Sequence, residues 1–67
     1  MKTEYESVRF EEKDWDEWFV YDIGEDVVKG HIYYDQSYVY WTDNDEDNTA
    51  QQLLDIAAFL NQLNEEE

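Results

Sequence analysis

Between Glu4 and Thr42 apolar and polar positions alternate in short runs, and from Thr49 onward the apolar positions recur every three or four residues. The first pattern predicts strands, whose side chains point to opposite faces in turn, and the second predicts a helix. Residues 4–10 place Glu6, Val8 and Phe10 on one side and Tyr5, Ser7 and Arg9 on the other, a first strand half buried through Val8 and Phe10. Residues 11–16 are too charged to pair comfortably and predict a loop. Residues 17–23 form a second strand, with Phe19, Tyr21 and Ile23 opposite Trp18, Val20 and Asp22. Gly24-Glu25 predicts a tight type II′ hairpin turn, because glycine takes the positive φ that its first position requires. The third strand covers 27–34, with Val28, Gly30, Ile32 and Tyr34 opposite Val27, Lys29, His31 and Tyr33. A turn at Asp35-Gln36-Ser37 leads to a fourth strand over 38–42, with Tyr38 and Tyr40 opposite Val39 and Trp41. Connections this short predict an antiparallel meander.

The helical stretch spans 49–64, about 24 Å at 1.5 Å per residue. Leu53, Ile56, Ala57, Leu60 and Leu63 or Asn64 mark its apolar stripe, which Leu54, Ala58 and Phe59 widen. Asn48 or Thr49 serves as N-cap, and Thr49-Ala50-Gln51-Gln52 fits a capping box. Glu65 to Glu67 oppose the helix dipole, so this tail is expected to fray. The expected fold is one α+β domain over 1–67: a three- or four-stranded antiparallel sheet packed against one C-terminal helix. Phe19, Tyr21, Ile32, Tyr34, Val39 and Trp41 are assigned to the core. Trp18, Tyr33, Tyr38 and Tyr40 are left on the opposite face, which the helix does not cover.

Charge changes this picture. Nineteen acids face four bases, a formal net charge of −15. Such an excess alone suggests disorder, but 42% hydrophobic and 18% aromatic residues argue for a folded domain. Solubility in a small domain asks for a net charge of only about 2–8, and self-repulsion opposes compaction. The charge is also gathered. Residues 11–17 contribute −4, residues 22–26 −3, residues 43–47 −4 and the tail −3. Acids two apart on an extended segment stand about 6.6 Å apart, close to two rises of 3.4 Å along a DNA strand. Asp14 with Asp16, and Asp43 with Asp45 and Asp47, are thereby candidates to stand in for phosphates.

In size, charge and α+β layout the chain resembles the small acidic DNA-mimic inhibitors of phages and mobile elements, which include anti-restriction proteins, uracil-DNA glycosylase inhibitors and anti-CRISPR proteins. Glu6-Ser7-Val8 is similar to a Glu-Ser-aliphatic segment of the glycosylase inhibitors. The resemblance implies a non-enzymatic inhibitor that occupies the nucleic-acid-binding surface of a basic protein such as a nuclease, a glycosylase or a CRISPR effector. Glu11, Glu12, Asp14, Asp16, Glu17, Asp43, Asp45, Glu46 and Asp47 are the expected contacts to Lys and Arg, with Trp15 and Trp18 as apolar anchors. An acidic immunity-type partner that neutralises a basic protein without mimicry is the alternative.

Other chemistries find less in the residues. There is no Cys and one His, His31, set mid-strand among Tyr and Ile, so no catalytic residues are assigned. Asp43-Asn44-Asp45-Glu46-Asp47 opens like an EF-hand loop, but Asn48 stands where glycine is needed and Leu54 where a bidentate Glu is needed, so no metal site or cofactor is expected. Weak divalent-cation binding is a third reading. Direct nucleic-acid binding is disfavoured, since the acids would repel phosphates. The uncovered aromatic face points to a protein interface or a homodimer. No apolar run reaches the roughly 20 residues of a membrane span. Met1-Lys2-Thr3-Glu4 lacks a signal-peptide core, so a cytoplasmic protein is expected, in the bacterial host if phage-encoded.

Overall fold

The structure, a computed structural model, describes residues 1–14, 16–42 and 47–65. Four strands and one helix follow in order: β1 (Val8–Asp14), β2 (Glu17–Asp22), β3 (Val28–Tyr34), β4 (Tyr38–Thr42) and α1 (Ala50–Glu65). The strands form one antiparallel sheet in the order β1-β2-β3-β4, and α1 lies across one face, meeting both edge strands. The α+β meander with one C-terminal helix is therefore the observed fold. No helix among the described residues is long and apolar enough to cross a membrane.

The first strand is displaced from its expected place. Of residues 4–7 only Glu4 makes a bridge, to Arg9, and the segment doubles back along the outer edge of β1, where the Phe10 amide donates to the Thr3 carbonyl. Residues 11–14, expected in a loop, continue β1 and pair with β2. Neighbouring side chains offset their charge: Arg9 bonds Glu11 two residues along the same strand, and across the strands Lys13 Nζ lies 3.5 Å from Glu17. A bulge between Glu12 and Asp14 then brings Asp14 opposite Glu17. The β2–β3 connection also differs. The Glu25 amide donates to the Asp22 carbonyl and Gly24 has φ 82°, which puts glycine at the third position of a type II turn rather than the first central position of a II′ hairpin. In the β3–β4 turn, Gln36 takes φ 67° without being glycine.

Register decides which face is covered. Phe10 pairs with Val20 and Glu12 with Trp18, while Trp18 pairs with Ile32. Directly opposed residues share a face, so Val8, Phe10, Trp18, Val20 and Ile32 all lie under α1. With Ile56, Phe59 and Leu63 they make the buried core, and Tyr5, Tyr38, Tyr40 and Leu60 pack at its margin. This reverses the expected assignment for β2 and β4. Trp18, expected on the uncovered face, is core, whereas Trp41, expected in the core, is 63% exposed; Tyr34 keeps its expected side, opposite Tyr38, but is exposed at the strand end. Phe59 is the centre: its ring stacks on Phe10 at 3.9 Å and meets Trp18 edge-on at 5.1 Å. Gly30 belongs to this face for a steric reason. A Cβ there would come within 2.3 Å of the Trp41 carbonyl and 2.6 Å of the Tyr40 ring.

The helix starts as its sequence predicts. The Gln52 amide donates to Thr49 Oγ1 and the Thr49 amide to Gln52 Oε1, the reciprocal bonds of a capping box. Its buried stripe is Gln52, Asp55, Ile56, Phe59 and Leu63, rolled relative to the expected one, so that Leu53 and Leu54 face out. Asp55 explains the roll. Its Oδ2 accepts from the Ser7 amide at 2.9 Å and the Ser7 hydroxyl at 2.6 Å, and its Oδ1 from Gln51 at 2.9 Å. Burial alone would raise this carboxyl. The hydrogen bonds from Ser7 and Gln51, with Lys2 nearby, outweigh burial and hold it below the usual aspartate value. Burial, and then the charge of Asp55, pushes the Tyr5 hydroxyl up. Ser7, singled out for its Glu-Ser-aliphatic context, is thus tied into a link between the chain entering β1 and the helix.

Candidate partner-binding site

Meander topology sorts the acids. The β1–β2 turn gathers Glu11, Glu12, Asp14, Asp16 and Glu17 at one end of the sheet. Asp22 and the β2–β3 loop, with Glu25 and Asp26, lie at the other end. Asp47 joins the second group, because Lys29 Nζ lies 3.8 Å from Asp22 and donates to the Asp47 carbonyl at 3.3 Å. Glu17 and Asp22 bound β2, five rises apart, so the two acidic ends are separated by about 17 Å. They do not form one patch.

Within the first group the side chains diverge. Glu11 and Glu17 stand on the uncovered face opposite Phe19 and Tyr33. Glu12, Asp14 and Asp16 have no ion pair among the described residues, and Glu12 and Asp14 are exposed. Asp14 closes β1 while Asp16 belongs to the turn, so the two do not follow one extended segment and lose the phosphate-like spacing expected of them. Trp18 cannot serve as a surface anchor, since it is sealed beneath the helix by the register that pairs it with Ile32. Trp15, Asp43, Asp45 and Glu46, also expected in the site, lie outside the described residues, as do Glu66 and Glu67 of the tail.

The uncovered face supplies what the sequence reading missed. Glu11, Phe19, His31 and Trp41 are successive cross-strand partners, one from each strand, and Tyr21 and Tyr33 flank them. The rings touch in series: Phe19 to Tyr21 at 6.0 Å, Phe19 to His31 at 5.2 Å and His31 to Tyr33 at 5.9 Å. Basic side chains lie over this strip. Arg9 sits 4.3 Å from the Tyr21 ring centre and Lys13 5.6 Å from that of Phe19. Of the four bases, Arg9, Lys13 and Lys29 are each held by an acid. The signal was present in β1, where Arg9, Glu11 and Lys13 alternate against Val8 and Phe10 and mark their own side as the wet one. Among the described residues no group of three or more His, Asp or Glu is placed to hold a metal ion.

No protein-family model, curated protein or solved structure matches this chain.

Proposed function

We propose that the protein is an acidic DNA mimic that binds and blocks the nucleic-acid-binding surface of another protein, as a phage-encoded inhibitor of a host defence or DNA-processing enzyme would in the bacterial cytoplasm. One observation carries the reading. In a chain with a net charge of −15, Glu11, Glu12, Asp14, Asp16 and Glu17 stand at one end of the sheet and Asp22, Glu25, Asp26 and Asp47 at the other, about 17 Å apart, or five DNA rises of 3.4 Å. Arg9, Lys13 and Lys29 are held in internal pairs with other acids, which leaves Glu12, Asp14 and Asp16 for a partner's Lys and Arg. The role is binding rather than catalysis, and the target is a basic protein.

Competition is the test. Protein immobilised through its C-terminus captures its target, and short duplex DNA is then added at rising salt. A mimic is displaced by the duplex and binds more weakly as salt rises, because both ligands draw on the same electrostatic term. A target that holds duplex and inhibitor together sinks the reading and leaves the acidic partner without mimicry. Reversing Asp14 and Asp16 to Lys changes the local charge by four and is expected to weaken capture about tenfold, since exposed charge pairs contribute up to about 1 kcal/mol each and about 1.4 kcal/mol is tenfold. Unchanged capture would move the contact to the opposite end of the sheet.

A further inference from the structure

The outer side of α1 departs from the rest of the chain. Ala50, Leu54, Ala57 and Asn61 follow one another at helical spacing along it, with Leu53 and Ala58 beside them, and all six are exposed. Asp55 is the only charged residue among 50–64, and it is buried. A surface helix ordinarily turns a charged, polar side to water. This one, in a chain at −15, turns out no charge over that length and leaves Leu54 65% and Leu53 50% exposed. Polar Gln52 and Asp55 meanwhile take buried places. The helix thus seats two polar side chains inside and keeps apolar area in water that a partner would remove from it.

The helix also joins the two acidic ends. At its C-terminus Asn64 accepts from the Tyr38 amide at 2.8 Å, and Tyr38 faces Tyr34 at the end of the sheet that holds Glu17. At its N-terminus Asn48 accepts from the Tyr40 hydroxyl at 3.1 Å, and Lys29 meets Asp47 and Asp22 at the other end. The 16 residues of α1 span about 24 Å between them. Glu12, which shares the helix side with Trp18, stands with Asp14 and Asp16 at one end of the uncharged stripe, and Glu25 stands at the other. None of these four is in an ion pair among the described residues. We infer that the outer side of α1 is the apolar centre of the partner-binding surface, taking a ridge of aliphatic side chains that Lys and Arg flank on the partner. The inference rests on the proposed binding to a basic protein and supplies the apolar part of that contact. An uncharged centre within a charged rim is the anatomy of a protein interface. Charge selects the occupant. A second copy laid along this stripe in either direction sets acidic ends on acidic ends, whereas a basic partner complements both.

Two amphipathic helical peptides of equal length and lysine content test it, one with a leucine stripe and one with an alanine stripe, titrated into the protein by NMR with the backbone amides as the readout. The leucine peptide is expected to bind about tenfold tighter and to shift Leu53, Leu54, Ala57 and Ala58. Leu54→Ala, which keeps a good helix former at an exposed position, removes most of that preference, and Leu54→Met keeps it. The preference persists at raised salt, which weakens both peptides alike. Should Leu54→Ala lose the fold, Leu53→Ala carries the comparison. Equal affinities, shifts confined to the uncovered sheet face, or a preference untouched by Leu53→Ala and Leu54→Ala overturn the inference. So does a dimer in sedimentation that Leu54→Ala dissociates, which would seat a second copy on the stripe. Loss of the leucine dependence with duplex competition intact defeats this inference alone. Intact leucine dependence with target and duplex bound together defeats the mimic reading alone.

Discussion

The covered and uncovered faces of the sheet come from the same strands and are almost equally aromatic, yet only one of them is a core. Phe10, Trp18 and Tyr40 lie on the helix side, and Phe19, Tyr21, Tyr33 and Trp41 on the other. Ring content does not separate them. The company of the rings does. On the helix side they meet Val8, Val20 and Ile32, all 0% exposed, and close over Phe59. On the other side they alternate with Arg9, Glu11, Lys13 and Glu17, whose charged ends stay in water while their stems and cations lie against the rings. An aromatic residue in a strand is therefore poor evidence of burial unless its cross-strand partner is known.

The sharpest way to break this comparison is to remove one ring from each face. Phe59→Ala empties the centre of the core and is expected to cost about 3–5 kcal/mol in urea unfolding, enough to unfold so small a domain. Trp41→Ala, a larger truncation by volume, is expected to change stability by no more than about 0.5 kcal/mol, as surface substitutions do. A Trp41→Ala cost near that of Phe59→Ala would mean that the uncovered face is packed in solution. Next in size comes Gly30→Ala. The added methyl meets the Trp41 carbonyl and the Tyr40 ring, so a loss of about 1–3 kcal/mol is expected, with the Tyr40 hydroxyl pulled from Asn48. Thermal melting reads it, and an unchanged midpoint would show that β4 shifts freely.

The smallest loss expected on the covered side concerns Asp55, an acid of the helix that is buried against the sheet. Asp55→Asn keeps the shape but loses the charge on the bonds from Ser7, and is expected to cost about 1–2 kcal/mol at pH 7. The folded carboxyl titrates below the unfolded one, so the unfolded chain takes up the proton first on acidification. The contribution is complete above about pH 4 and is lost as pH falls through the depressed folded value. The gap between parent and Asp55→Asn should close over that window, whereas a constant gap would assign the cost to shape. Comparison with the variant also cancels the relief of self-repulsion that the other carboxylates bring on protonation.

Much of the fold was legible. The capping box at Thr49 and Gln52 is local hydrogen bonding between residues three apart, so sequence spacing states it directly. Strands β2, β3 and β4 stand within one residue of where alternation puts them, because short runs of β-branched and aromatic residues between turn residues leave the backbone few options. Residues 11–14 misled because charge argues against pairing only when the partner strand offers no counter-charge or ring. Here Glu17 and Phe19 on β2 receive Lys13, and Arg9 receives Glu11. The candidate site was legible in its charge and not in its layout. Glu12, Asp14 and Asp16 do stand at one end, but Trp18 joined the core, and Phe19, Tyr21 and Trp41, assigned to the interior, line the uncovered face, where Tyr33 was expected.

The sequence by itself determined the element types, their order, the cap of the helix and the excess of negative charge, all of which are properties of residues and near neighbours. Tertiary structure decided which side of the sheet is the interior, how far the helix is rolled, and that the acidic stretches stand at opposite ends. Alternation leaves a strand with two equivalent faces, and only pairing with a strand of clear polarity chooses between them. β1, with Val8 and Phe10 against Arg9, Glu11 and Lys13, makes that choice for the whole sheet, and the bond between Ser7 and Asp55 makes it for the helix.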